Sequence, residues 1–343
     1  MKKIIHITND LQRLGGVQRL LVDLMTLQKN DFEFEVILTR GENEYEDELK
    51  KIGVKVYHKR ELGLWGMVKR LNKADLVHAH LFPSMYIALL SNSIKIVTEH
   101  NPYYRRRDIR VIRFFESIAF KRFSNVVCIS EGVKQAFNNI VNWTDNRAVV
   151  INNGVRLARF PMEAKSMEIS PNKFRIGMVG RLVAQKDIST LIYAVSKLGV
   201  DFELHLAGDG ELREALVAKS VELKVQDQVF FHGQLKDIPK FLSSLDVYIQ
   251  SSNWEGFGLA VVEAMASGLP CIATNVAGLN DIVHQNYLFE VGDVNHLCNL
   301  VSQLKNDVDI YNRQSELSVI RATEYSIDTS AKNHTGLYQK LLS

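Results

Sequence analysis

Cysteine is scarce, with three in 343 residues: Cys128, Cys271 and Cys298. An odd count without metal-ligand spacing argues against a disulfide framework and points to reduced thiols in the core of a cytoplasmic protein. Long apolar runs are missing too, since nothing approaches the ~20 residues of a membrane-spanning helix. The opening run from Met1 to Ile7 meets Thr8, Asn9 and Asp10 before it could form a signal-peptide core, so no leader is expected. No internal repeat or low-complexity tract occurs. Gly-x-Gly-x-x-Gly is absent after any expected strand, which disfavours a dinucleotide-dependent dehydrogenase. No nucleic-acid-binding motif is found, and no nucleic-acid partner is expected.

What is present is an ordinary globular composition, 46% hydrophobic and 24% charged, in a chain too long for one hydrophobic core. The net charge of +3 conceals a split. Residues 1–168 carry 27 Lys and Arg against 19 Asp and Glu, whereas residues 169–343 carry 15 against 20. The basic half would attract an anion, whether phosphate, membrane surface or nucleic acid.

Short β-rich runs alternate with amphipathic segments, the pattern of parallel sheets with helical crossovers. In the first half strands are expected near 3–8, 34–39, 54–57, 75–80, 94–99, 125–130 and 147–151, with helices at 17–29, 109–123 and 131–140. Asn152-Asn153-Gly154, Pro161 and Pro171 then break the rhythm. It restarts with strands near 174–179, 203–207, 228–232, 246–250 and 271–274, and helices near 186–198, 210–223, 258–267, 293–305 and 327–342. This gives an α/β architecture of two Rossmann-like doubly wound domains facing a cleft. The expected division is 1–160, a linker at 161–172, a second domain at 173–325, and a helix at 326–343 packing back on the first domain.

Three clusters carry chemistry. Glu255-Gly256-Phe257-Gly258-Leu259 follows an apolar strand and opens a helix that contains Glu263. Free amides at such a helix start form an anion site, and a carboxylate accepting two hydroxyl hydrogen bonds suits a ribose diol or a sugar. Gly180-Arg181-Leu182 ends a strand, with Lys186 at the next helix start, and two such cations fit a diphosphate. Gly15-Gly16 follows the first strand, where a glycine pair lets the backbone meet a phosphate. His78 and His80 alternate along a strand and read as core or cleft-lining residues rather than a metal pair. Asp307-Val308-Asp309 lies in a helical region and reads as a solvated face.

Glu255 and Glu263 spell E-x7-E around Gly-Phe-Gly-Leu. With Gly180-Arg181-Leu182, Lys186, Gly15-Gly16 and Asn153-Gly154-Val155, this resembles glycosyltransferase family 4, of the GT-B fold, over essentially the whole chain. The resemblance implies retaining transfer from a nucleotide sugar, UDP-linked, by front-face attack, with no cofactor and no metal. It implies that Arg181 and Lys186 hold the donor diphosphate and Glu263 takes the ribose hydroxyls. Glu255 would then face the donor sugar, and Phe257, Gly258 and Leu259 would line sugar and phosphate. The loop from Phe231 to Leu235 resembles the base-binding edge, and His100 the histidine that touches the donor sugar. Asp187 departs from the pattern, standing where family members often have glycine.

The implied function is sugar transfer to a glycan or lipid-linked acceptor in cell-surface polysaccharide synthesis. The alternatives are a UDP-sugar epimerase, a sugar phosphorylase, or a non-catalytic nucleotide-sugar-binding partner of another transferase. Arg106, Arg110 and Arg113 fall on one expected helical face beside aromatic and apolar residues. That face suits an anionic membrane surface, hence an expected peripheral location on the inner face of the plasma membrane.

Overall fold

A computed structural model describes residues 1–13, 16–141, 146–165 and 173–343. They form two compact units: Met1–Arg156 with Ser326–Ser343, and Leu157–Tyr325. In the first unit, strands β1 (Lys2–Thr8), β2 (Phe32–Leu38), β3 (Lys55–His58), β4 (Leu76–His80), β5 (Ile94–Glu99), β6 (Asn125–Cys128) and β7 (Ala148–Val150) make one sheet. Its order is β3-β2-β1-β4-β5-β6-β7, and every pairing is parallel. Ile4, Ile5 and Ile7 on β1 are all buried. A strand covered on both faces has no solvent-facing side to alternate with, so residues on both faces are buried, His6 between Ile5 and Ile7 included.

The second unit holds β8 (Phe174–Val179), β9 (Phe202–Ala207), β10 (Val229–Gly233), β11 (Val247–Gln250), β12 (Cys271–Thr274) and β13 (Leu288–Phe289). Its order is β10-β9-β8-β11-β12-β13, also parallel. Each sheet therefore reverses its strand order once, between β1 and β4 and between β8 and β11. Ligands of doubly wound sheets sit beyond the strand ends at such points. Each unit has its own apolar core, one built on Ile4, Val36, Leu76 and Ile96, the other on Ile176, Leu204, Ile249 and Ile272.

The chain leaves the first unit after Arg156 and re-enters it at Ser326. The Ile327 amide donates to the Val155 carbonyl (2.9 Å). A Cβ on Gly154 would come within 2.5 Å of Ile327 Cα, so only glycine permits this approach. The helix Ile327–Leu342 then packs on the helix Gly16–Gln28. Of the segment read as a linker, residues 161–165 are tied into the second unit, Met162 N to Ala266 O (2.9 Å) and Lys165 N to Ser315 Oγ (2.6 Å). Residues 166–172 lie outside the described residues.

Two local expectations are corrected. Residues 105–108 form a separate 3-10 turn, and extended Ile109 (φ −81°, ψ 110°) divides it from the helix Arg110–Phe120. Arg106 therefore does not share a helical face with Arg110 and Arg113. Lys186 likewise closes a 3-10 turn, Ala184–Lys186, and the following helix begins only at Ile188.

Candidate functional site

In the second unit the chemistry collects where β8 and β11 end. Lys186 pairs with Glu255, whose carboxylate also accepts from Ser252 Oγ (3.3 Å) and from the Gly256 amide (3.3 Å). The loops bearing the pair are laced together. Gln185 Nε2 donates to the Trp254 carbonyl (2.9 Å), Asn253 N to the Gln185 carbonyl (2.8 Å), and Asn253 Nδ2 to the Ala184 carbonyl (2.8 Å). Buried Ser251 donates to the carbonyls of Lys186 and Asp187 (3.0 and 3.1 Å). Gln185, Ser251, Ser252 and Asn253 were missed as site residues. For Ser251, Ser252 and Asn253 the only signal is an unbroken polar run directly after a buried strand, and Gln185, in the turn that ends at Lys186, has none.

Asp187 adopts the left-handed conformation (φ 40°, ψ 50°) that glycine takes without strain, which explains why glycine suits this position. Gly258 sits at φ 95°, and a Cβ there would come within 2.6 Å of Leu279 Cδ2. From it springs the helix Leu259–Ala266, whose first amides are free to meet an anion. Phe257 is buried against Tyr325 (ring centroids 5.4 Å apart), leaving its backbone as the part a ligand could meet.

Glu263 lies on that helix with no hydrogen bond or ion pair to its carboxylate among the described residues. Burial raises its pKa from 4.5 to about 7, against a smaller opposing pull from Arg159. Burial also holds the Tyr248 hydroxyl well above its ordinary range, with smaller contributions from Glu263 and Glu255, so both carboxylates act on one buried phenol. Arg181 is exposed just past β8 and has no partner among the described residues. Leu235 is half-buried on the loop after β10.

The expected residues of the first unit fare differently. Gly15 lies outside the described residues, and Gly16 is the exposed first residue of its helix. His100 follows β5, but its ring faces inward: Nε2 lies 3.3 Å from His80 Nδ1, and buried Nδ1 has no partner. His80 Nε2 lies 3.0 Å from His6 Nδ1, so three imidazoles form a chain. His78 stands beside His6 in the β1–β4 register. His6, His78 and His80 bring ring nitrogens within 4.8 Å of one another. Both nitrogens of His78 are engaged, by Thr98 Oγ1 (2.6 Å) and Tyr338 OH (2.7 Å). Both of His80 lie within the chain, so only His6 Nε2 is left open to a metal. This is a hydrogen-bonded polar layer inside the core. Burial pushes His6 and His100 down to about 3 and His334 to about 4, keeping the rings neutral.

Asp307 is a helix N-cap, its carboxylate accepting from the Ile310 amide (3.0 Å), which accounts for the Asp-Val-Asp run. Cys128, Cys271 and Cys298 are free thiols, the first two buried. Among the described residues no helix is long and apolar enough to cross a membrane.

Comparison with known proteins matches residues 14–159 to the model of Glycosyltransferase Family 4 and residues 161–318 to that of Glycosyl transferases group 1. A relative in Escherichia coli, UDP-Gal:alpha-D-GlcNAc-diphosphoundecaprenol alpha-1,3-galactosyltransferase, is 26% identical over 344 residues, covering 89% of this chain and 88% of its own. The capsular polysaccharide biosynthesis glycosyltransferase CapM of Staphylococcus aureus is 24% identical, covering 82% of each chain. Anabaena Alr3699/HepE, solved in complex with UDP and glucose, superposes with a TM-score of 0.86 over 99% of this chain and 100% of its own, at 19% identity. Family models thus account for nearly all of the sequence, and the protein is a glycosyltransferase of family 4 with the GT-B fold.

Proposed function

We propose that this transferase moves a sugar from a UDP-sugar, with retention of configuration and without a bound metal, to a glycan or lipid-linked acceptor in cell-surface polysaccharide synthesis. The observation that carries the reading is the Lys186–Glu255 pair beside the Leu259 helix start, with Glu263 on the same helix. A donor diphosphate would replace Glu255 as the partner of Lys186 and take the fork of exposed Arg181. Glu255, released, would turn to the sugar, while Glu263 accepts the ribose hydroxyls. The bond from the anomeric carbon to the diphosphate breaks as the acceptor oxygen arrives on the same face, and the departing phosphate takes the acceptor's proton. The names of the Escherichia coli relative and of the Anabaena complex support UDP and a diphosphate-linked lipid acceptor.

Each charge-assisted bond to the leaving group contributes about 1.5–3 kcal/mol. Lys186→Ala should therefore slow transfer by about 10- to 100-fold. Radiolabelled transfer from UDP-sugars tests the reading. Activity should survive EDTA, and proton NMR of the product should show the donor's anomeric configuration. Silencing by EDTA with rescue by manganese, or an inverted product, would defeat it.

Peripheral membrane binding belongs to the same proposal. The helix Arg110–Phe120 exposes Val111, Phe114, Phe115 and Ile118 beside the exposed cations Arg110 and Arg113. Such a face inserts apolar side chains while its cations meet anionic headgroups. Phe114→Asp combined with Arg110→Glu should abolish co-sedimentation with vesicles containing phosphatidylglycerol. Undiminished sedimentation would remove the membrane from the account.

A further inference from the structure

Arg106 is held like a tool rather than left as a surface charge. Its guanidinium carbon lies 4.9 Å from the Phe82 ring centroid and 4.4 Å from that of Tyr104, so it is flanked by two aromatic rings. Nε donates to Glu116 Oε1 (2.7 Å). Beyond Glu116 and the Tyr86 hydroxyl, its guanidinium has no hydrogen-bond partner among the described residues.

The flanking parts are fixed in turn. Glu116 is buried, and it also accepts from Tyr86 (2.7 Å) and from Arg107 Nε (2.6 Å). Arg107 makes a further two-pronged bond with buried Glu99 (3.0 and 3.1 Å). Asn9 Nδ2 donates to the Phe82 carbonyl (2.8 Å), and the preceding Leu81 takes a left-handed backbone (φ 62°). Phe82 remains 42% exposed, unusually open for a large aromatic anchored at a strand end. The Tyr104 phenol hydrogen-bonds the His100 backbone. Arg106 is thus one ring away from the end of β5, on the edge of the sheet where ligands bind.

We infer that Arg106, gripped by Phe82, Tyr104 and Glu116, is a binding site for a phosphate or diphosphate group carried by the acceptor. Two charges of each sign, Arg106 and Arg107 against Glu99 and Glu116, cancel within the cluster. Exposed Arg105, Arg110 and Arg113 then leave the neighbourhood positive. A guanidinium presents its donors as a rigid fork that fits phosphate oxygens two at a time. Stacking and the Glu116 bond have already removed the side-chain freedom that a flexible arginine loses on binding. This deepens the acceptor reading above and depends on it only for the identity of the molecule bearing the phosphate.

The test uses the full chain saturated with UDP, so that the donor cations are occupied, and inorganic pyrophosphate as the probe in isothermal titration. Arg106→Gln should weaken pyrophosphate binding by about tenfold or more, the loss of a two-pronged charge-assisted contact. Arg106→Lys should recover little, because it keeps the charge and loses the fork. Phe82→Leu removes one wall without touching Glu116 and should give an intermediate loss; circular dichroism melting checks that each variant folds. A parallel arm measures sedimentation with vesicles of phosphatidylcholine with and without phosphatidylglycerol, which should not change for Arg106→Gln. Unchanged pyrophosphate affinity in Arg106→Gln would overturn the inference. So would loss of vesicle binding alone, which would assign Arg106 to lipid headgroups. Failure of wild type to bind UDP would instead count against the donor reading and leave the pyrophosphate comparison standing.

Discussion

Replacing Glu263 with glutamine should stabilise the second unit, and by an amount that depends on pH. Burial lifts this carboxyl from 4.5 to about 7, and no cation among the described residues pairs with it. Its folded-state pKa is raised, so below about 4.5 both states are protonated and nothing is lost. As pH rises through the interval up to about 7 the unfolded chain ionises freely while the fold resists, and stability falls. At about 1.4 kcal/mol per pKa unit, the displacement amounts to roughly 3 kcal/mol by slightly alkaline pH. Glutamine keeps the shape and never ionises, so the variant should match wild type near pH 4.5 and exceed it by up to about 3 kcal/mol near pH 8. Urea unfolding followed by Trp254, which lies in the second unit, reads the difference. UDP titration supplies a second readout: if ionised Glu263 takes the ribose hydroxyls, wild-type affinity climbs with pH through about 7 and the variant's stays flat. A stability difference that does not vary with pH would refute the reasoning.

The first unit should respond to acid in the opposite sense. His6, His100 and His334 have depressed pKa values in the fold, so their neutral forms stabilise it above about 6.5 and that stability drains away as pH falls toward 3–4. Hydrogen exchange of β1 and β4 should accelerate over this range, and protection that stays constant would contradict the burial of neutral rings. Arg107→Leu strands Glu99 as a buried charge, while Glu116 keeps Arg106 and Tyr86, and should cost about 3–5 kcal/mol by thermal unfolding; a loss below about 1 kcal/mol would mean that water reaches Glu99. Gly258→Ala forces a side chain into both a left-handed backbone and the Leu279 methyl, and should lower stability by about 1–3 kcal/mol. An unchanged melting temperature would show that this turn relaxes freely.

Much of the fold was legible because parallel strands covered on both faces announce themselves as short apolar runs. β1, β4 and β8 fall within a residue or two of expectation, whereas two-residue β13 has no pattern to read. Glu255, Glu263, Arg181 and Lys186 stood out by spacing, since a helix start and a strand end fix where such residues point. Their environment did not. That Glu263 is buried enough to hold a proton depends on packing from distant segments, and Lys186 pairs across 69 residues. Arg106 was misplaced because a helical periodicity runs straight over Ile109, and only backbone angles reveal the break there. The His78-Ala79-His80 alternation was visible, but its meeting with His6 is a fact of register between strands more than 70 residues apart.

That meeting has a consequence for where protons reside. Three neutral imidazoles in series share two hydrogen bonds, and each ring brings one N–H. Every donor can point from His6 toward His100, or every donor can point back. Either arrangement leaves one donor and one acceptor unanswered at the ends, at His6 Nε2 and His100 Nδ1. The two are mirror states of one line, and no single ring can change tautomer alone without setting two lone pairs or two hydrogens face to face. His6, His80 and His100 therefore behave as one object with a direction, and a polar group arriving at either end sets the tautomer of all three rings at once.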